Sequence, residues 1–190
     1  MFTIQGSLFN AKGAGNHSFI GDGYISRVFD NGDGTVTKQG RSRDGTLGFL
    51  IWAKHMQIAG PVPGLPVIHK LALTEQGYVC VMKKYNVLTA AQVEAYSEAD
   101  IESWAGCNCQ EDIDAPEFKD IIWVAKELAA LVGDLPISAP YGFMGDLHYE
   151  NVMYDAELQQ YVMTDPSCIK LEDSQLAYFV PKAQGEFMLQ

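Results

Sequence analysis

The stretch DLHYENVMYDAELQQYVMTDP, residues 146–166, decides how the rest of the chain is read. It opens on a short polar loop holding Asp146, His148 and Asn151 and ends on a further aspartate, Asp165. Between them NVMY (151–154) and YVMT (161–164) are β-prone runs on either side of the turn DAELQQ (155–160), so Asp165 stands behind a short hairpin. Taken singly these residues are ordinary: Asp146 and Asn151 suit a capped loop, and Asp165 suits the turn that Pro166 begins. Their meaning depends on what precedes them.

Working back along the chain, residues 116–132 read as an amphipathic helix. Pro116 fits a first helical turn, Phe118, Ile121, Ile122, Ala125, Leu128, Ala129 and Val132 fall on one face, and Gly133 is a natural stop. The acidic segment before it, 89–115, predicts a helix over AAQVEAYSEADIESW (90–104) and then a loop. Near residues 83–90 the composition changes. Upstream, LPVIHKLALT (65–74) and GYVCVMKKY (77–85) read as strands joined by a turn at Glu75-Gln76-Gly77. TLGFLIWAKHMQI (46–58) is apolar on nearly every side, as in a helix buried between other elements, with Asp44 as its N-cap and Gly60-Pro61 as its end. HSFI (17–20), YISRVF (24–29) and TVTK (35–38) are strands separated by Gly21-Asp22-Gly23 and by the hairpin turn Asn31-Gly32-Asp33-Gly34. The fold class is therefore α+β: a five-stranded antiparallel sheet with one helix after its third strand, then a reduced helical part.

A lone Gly-x-Gly is usually just a hairpin. A dinucleotide-binding fold is a poor alternative, because its fingerprint needs a helix directly after the glycines and this chain offers a strand. Glycines between two strands do let backbone amides approach phosphate oxygens, and a lysine at the end of the next strand, Lys38, can neutralise them. With that order upstream, Asp146 is placed to accept the proton of an attacking hydroxyl. Asn151 and Asp165 then supply hard oxygen ligands to a Mg²⁺ bridging nucleotide phosphates. The chemistry indicated is phosphoryl transfer.

The order G-x-G-x-x-S-x-V, V-T-K, helix, two strands, D-L-H-x-x-N and T-D-P resembles the protein kinase-like superfamily over residues 17–170. The D-L-H-x-x-N form is shared with antibiotic and choline phosphotransferases. More closely, GDGYISRVFDNGDGTVTK, GPVPGLPVIH, GYVCVMKKY and DLHYENVM with YVMTDPSC resemble the early serine/threonine protein kinases of lytic podophages. That resemblance implies a minimal two-lobed protein kinase-like fold, with an N-lobe over 1–83 and a reduced C-lobe over 84–190. It implies ATP and Mg²⁺ as cofactors, and transfer of the γ-phosphate to Ser/Thr of host proteins in the host cytoplasm, redirecting host machinery. By position, Gly21 and Gly23 match the phosphate-covering loop, Lys38 the nucleotide lysine, Asp146 the catalytic base, and Asn151 and Asp165 the metal ligands. The backbone from Met82 to Tyr85 matches the hinge that receives adenine.

The chain departs from the family pattern in three places. Ser26 stands for the third glycine. Asp165-Pro166-Ser167 stands for D-F-G, so a phenylalanine-based switch is absent. The helix of residues 45–58 has no Glu or Asp, which leaves Lys38 without a helical carboxylate and Asp44 as the nearby candidate. The alternative reading is a kinase-shaped pseudoenzyme that inhibits a host protein by binding through an acidic surface. A small-molecule phosphotransferase is a third, for which the helical part offers little material.

Composition bounds these readings. The chain has 190 residues and a net charge of −11, so polyanion binding through a basic face is disfavoured and no direct nucleic-acid contact is expected. A hydrophobic content of 47% with 19% charged residues is that of a folded chain. No apolar run approaches a membrane span and MFTIQGSLFN lacks a secretory pattern, so the expectation is a cytoplasmic protein without membrane contact. The cysteines, Cys80, Cys107, Cys109 and Cys168, are expected as free thiols, Cys107 and Cys109 standing too close for a usual zinc pair. The acidic run 94–114, with Trp104 in its middle, is a solvated face or a docking surface for a basic partner. His148 either orders its loop or approaches the transferring phosphate. Ser167 and Ser174 are candidate self-phosphorylation sites.

Overall fold

The computed structural model of the chain describes residues 18–22, 26–40, 45–74, 77–106, 113–133 and 146–166. Gly23, Asp44, Cys107, Cys109, Cys168, Ser167 and Ser174 lie outside the described residues.

Alternating burial along TVTKQG makes a strand with one inward face, and its neighbours complete a sheet. β1 (Ser18–Asp22), β2 (Ser26–Asp30), β3 (Thr35–Gly40), β4 (Ile68–Leu73) and β5 (Tyr78–Lys83) form a five-stranded antiparallel sheet in the order β1-β2-β3-β5-β4. The β2–β3 turn is set by its own side chains. The Asp30 carboxylate accepts from the Gly32 amide at 2.9 Å, and Asp33 accepts from the Thr35 amide at 3.0 Å and its hydroxyl at 2.6 Å. Those donors, with Lys84 first on Asp30 and the Thr35 hydroxyl first on Asp33, hold both carboxyls below the usual range. β1 runs two residues beyond the expected strand, so Gly21 and Asp22 pair with Val28 and Arg27 instead of turning.

Between β3 and β4 lies α1 (Gly45–Met56), whose Thr46, Leu47, Phe49, Leu50, Ile51 and Ala53 are all buried, as an all-round apolar helix must be. Polar side chains at its end fasten it to the sheet. Lys54 Nζ donates to the Ile68 carbonyl at 2.8 Å, and the Gln57 amide bonds Pro66 O at 2.5 Å and Ile68 N at 3.2 Å.

The remainder combines a small sheet with short helices. β6 (Asn86–Val87), β7 (Val152–Asp155) and β8 (Gln160–Met163) pair antiparallel in that order, and α2 (Ala90–Glu98), α3 (Ile101–Gly106) and α4 (Lys119–Gly133) pack beside them. The two-residue β6 left no pattern in the sequence. The helix expected over 90–104 is two helices, because Asp100 takes a φ of 53° and breaks the ladder; aspartate tolerates that left-handed region better than most residues. α2 starts at a capping box in which Thr89 accepts from the Gln92 amide while the Gln92 side chain accepts from the Thr89 amide.

One hydrophobic cluster runs through all of this, from Leu50 and Tyr78 to Phe118, Ile121, Val152 and Met163. The expected α4 stripe is buried at Ile121, Ile122, Ala125 and Leu128, and Val124 joins it. Trp52 of α1 meets Trp123 of α4 at 6.4 Å between ring centroids, and Phe118 contacts Tyr161 of β8 at 4.6 Å. Gly64 makes a third link possible. With φ at 80°, it lies so close to α4 that a β-carbon would stand 2.6 Å from the Asp120 carbonyl, and its own carbonyl accepts from the Met163 amide at 2.9 Å. These contacts carry the hairpin bearing Asp165 up to the five-stranded sheet. Among the described residues no helix is long and apolar enough to cross a membrane.

Candidate functional site

Period-two alternation puts Val36, Lys38 and Gly40 on the inward face of β3. Register then sets Cys80 opposite Lys38 and Met82 opposite Val36 on that same face. A lysine there is almost wholly buried, with a residue exposure of 7%, and an ammonium so placed requires a carboxylate. Because α1 has no acidic residue, the partner comes from the far end of the chain. Lys38 Nζ donates to Asp165 Oδ2 at 2.6 Å, across 127 residues of sequence.

The other oxygen is also engaged. Thr46 Oγ1, in the first turn of α1, donates to Asp165 Oδ1 at 2.5 Å. Thr46 is 2% exposed, whereas the Asp165 side chain remains 30% exposed, so this carboxylate is gripped from inside and reachable from outside. The neighbouring thiol is inert by contrast: burial first, only partly offset by Lys38 and Lys54, pushes Cys80 up to about 12.

The loop 146–151 is held against this pair by backbone bonds. Asp146 N donates to Pro166 O at 2.9 Å, Thr164 N to Asn151 O at 2.9 Å, and Asn151 Nδ2 to Asp146 O at 2.9 Å. The residues on both sides of Asp165 are thus stitched to both ends of the loop. The Asp146 side is exposed. Asn151 uses its nitrogen end for the loop, which turns the amide oxygen, a hard donor, the other way.

Two helices support the loop from below. Tyr96 of α2, fully buried, donates its hydroxyl to Leu147 O at 2.6 Å, and Glu102 of α3 accepts from Tyr149 N at 3.1 Å. His148 Nδ1 accepts from Glu150 N at 3.4 Å, its ring lies 4.3 Å from that of Tyr149, and its Nε2 stands 3.9 Å from Glu102. These contacts tie His148 to its own loop and to α3. The acidic run is accordingly mixed: Glu94, Glu98 and Asp100 are exposed, while Glu102 serves the loop and Trp104 packs against the core.

Sequence reasoning placed Lys38, Asp146, Asn151 and Asp165, and the fold brings all four into one region. It missed Thr46, Tyr96 and Glu102. The available signal for Thr46 was a lone hydroxyl opening an otherwise apolar helix. Gly21 sits in β1 with open space beyond its Cα, where a β-carbon would meet nothing within 4 Å. Met82 is a core residue, 3% exposed. In the segment matched to the hinge, Lys83 N donates to Val67 O and Lys84 N to Gly34 O, both at 2.9 Å, so the protein itself uses these two amides.

As to a divalent cation, among the described residues no three His, Cys, Asp or Glu side chains are gathered to hold a metal. The exposed edge of the Asp165 carboxylate and the Asn151 amide oxygen fit Mg²⁺ in donor chemistry. Mg²⁺ characteristically takes one or two protein oxygens and completes its shell with phosphate and water.

No family model matches this chain, and no curated protein matches it. Among solved structures it is similar to a crystal structure of WbdD at 18% identity and a TM-score of 0.37, covering 88% of this chain and 37% of that one.

Proposed function

We propose that the chain is a minimal kinase-like phosphotransferase, with the five-stranded sheet and α1 as one lobe and the segment from residue 84 as the other. It binds ATP with Mg²⁺ and moves the γ-phosphate to Ser or Thr hydroxyls of host proteins, as an early phage product acting in the host cytoplasm. One observation carries this reading. The buried lysine of the third strand and the aspartate behind the hairpin, 127 residues apart, meet at 2.6 Å beside a loop that carries an exposed aspartate.

In the proposed reaction Asp146 accepts the proton of the attacking hydroxyl. Lys38 neutralises nucleotide phosphate as the bond from the γ-phosphorus to ADP breaks and ADP leaves, and Asn151 and Asp165 would hold Mg²⁺, which would supply charge compensation to the phosphates. Tyr96 and Glu102 keep the loop in register. The test is incubation of the purified chain with labelled ATP, Mg²⁺ and a host extract, beside Asp146→Ala. Removing a general base lowers such a rate by about 10²–10⁴-fold. Labelling unchanged by that substitution excludes the mechanism.

A second reading, a kinase-shaped inhibitor acting by binding, is favoured by the exposed carboxylates of Glu94, Glu98 and Asp100 along α2 and its junction with α3. It predicts that a Glu94→Lys, Glu98→Lys, Asp100→Lys variant loses the biological effect while Asp146→Ala retains it.

A further inference from the structure

We infer that Thr46 is the residue that orients Asp165 toward a divalent cation, an assignment that rests on the nucleotide-binding reading above. The last side-chain torsion of an aspartate is broad and roughly two-fold, so a carboxylate held by one lysine is free to turn about it. Here it is not held by one group. Nζ of Lys38 takes Oδ2 at 2.6 Å and Oγ1 of Thr46 takes Oδ1 at 2.5 Å, and one donor on each oxygen fixes the carboxylate plane.

The donor itself has little freedom. Thr46 is 2% exposed and followed in α1 by the buried Leu47, Phe49 and Leu50, so the backbone that carries its hydroxyl is fixed by packing. Each carboxylate oxygen retains acceptor capacity after taking one donor. With the side chain 30% exposed, part of the carboxylate stays open to solvent. A ligand already fixed in plane loses less freedom on coordination, and hydrogen-bonding partners of metal ligands characteristically account for tenfold to a hundredfold in metal affinity. Thr46 touches neither metal nor nucleotide in this scheme; it is a positioning residue.

The experiment uses Mn²⁺ as the probe cation. Its binding to the full chain in the presence of ADP is followed as the loss of the free-ion paramagnetic resonance signal beyond that caused by the same ADP without protein, for the unaltered chain, Thr46→Val and Thr46→Ser. Thr46→Val keeps the shape and removes the donor, and is expected to weaken Mn²⁺ binding by roughly tenfold to a hundredfold. Thr46→Ser restores the donor and is expected to bind within a few-fold of the unaltered chain. Equal binding by Thr46→Val overturns the assignment and leaves the nucleotide reading standing. A serine variant as weak as the valine variant also overturns it, because packing of the methyl group then explains the loss. If the unaltered chain takes up no Mn²⁺ with ADP, this assignment and the nucleotide reading fall together. Should Thr46→Val not fold, Thr46→Ala is measured in its place with the same expectations.

Discussion

Two lysines of the five-stranded sheet each reach an aspartate of the C-terminal hairpin segment, and the two pairs are built in opposite senses. In Lys38–Asp165 the lysine side chain is 8% exposed and the aspartate 30%. In Lys83–Asp155 the lysine is 24% exposed and the aspartate 2%. The Asp155 carboxylate is also more heavily bonded, since Oδ1 accepts from the amides of Glu157 at 3.1 Å and Leu158 at 3.3 Å while Lys83 Nζ bonds both oxygens. An aspartate buried under its own turn, with three donors on one oxygen, fastens the hairpin to β5. An aspartate whose outer edge is open, with one donor on each oxygen, has acceptor capacity left for a ligand. Both pairs tie the hairpin segment to the sheet, and under the proposed function exposure of the carboxylate marks the pair with an edge left for a ligand.

The sharpest way to break that contrast is the same conservative change at both positions. Asp165→Asn keeps the shape and an acceptor oxygen but removes the charge. Phosphoryl transfer per folded molecule is expected to fall by roughly 10³-fold, the several kcal/mol that metal stabilisation of the transition state supplies. Asp155→Asn is expected to leave the rate per folded molecule unchanged. Parallel labelling assays on the two variants decide it: transfer surviving at Asp165→Asn, or lost at Asp155→Asn in folded protein, removes the distinction.

The effect of Asp155→Asn should appear in stability. It weakens a charge-assisted bond to Lys83, and hydrogen bonds to charged groups contribute about 1.5–3 kcal/mol each. A loss of about 2 kcal/mol in urea unfolding is therefore expected. Because Lys83 can swing into water, the larger cost of stranding a buried ammonium does not apply here.

The same pair predicts a pH dependence with a definite sign. Burial alone would raise the Asp155 carboxyl, but the Lys83 bond and the turn amides outweigh it and hold the carboxyl below its ordinary value of 3.8. Its contribution to stability is thus complete above the unfolded value and is lost as pH falls from there through the lower folded one. Lys83 is shifted the other way, raised above 10.5 first by Glu157 and then by Asp155, so its contribution is complete below 10.5 and lost as pH rises past it. Unfolding free energy measured against pH should decline at both ends in the unaltered chain. In Asp155→Asn the acid decline should be shallower.

How much of this was legible in the sequence follows from the range of each interaction. The strands and the Asn31–Gly34 turn rest on alternation and on bonds spanning a few residues, so they were readable, as was the α4 stripe. Lys38, Asp146, Asn151 and Asp165 were singled out as an ordered set by their spacing along the chain, and the fold brings them into one region, while their roles rest on the proposed function. The Thr46 contact with Asp165 was not. It depends on α1 being set against a hairpin 119 residues away, and the local signal, a lone hydroxyl opening an apolar helix, says nothing of that partner. The Lys83–Asp155 pair was hidden for the same reason, since it spans 72 residues and involves two side chains common on protein surfaces. The break at Asp100 was missed because helical composition continues on both sides of it.

The smallest effect tests the contrast within a single cluster. Lys83 Nζ contacts Glu157 Oε2 at 2.5 Å as well as Asp155, a shorter contact than either bond to Asp155, so distance alone would rank Glu157 as the stronger partner. Exposure reverses that ranking. The Glu157 side chain is 80% exposed, where water competes for both charges and salt screens them, and such pairs typically contribute about 0.2–1 kcal/mol. Glu157→Ala should therefore cost about 0.5 kcal/mol in urea unfolding, with a loss that shrinks as NaCl is added, against the larger loss expected at Asp155. If Glu157→Ala proves as costly as Asp155→Asn, the clamp is held by its exposed charge. Burial of the carboxylate then ceases to be what marks a structural pair in this molecule.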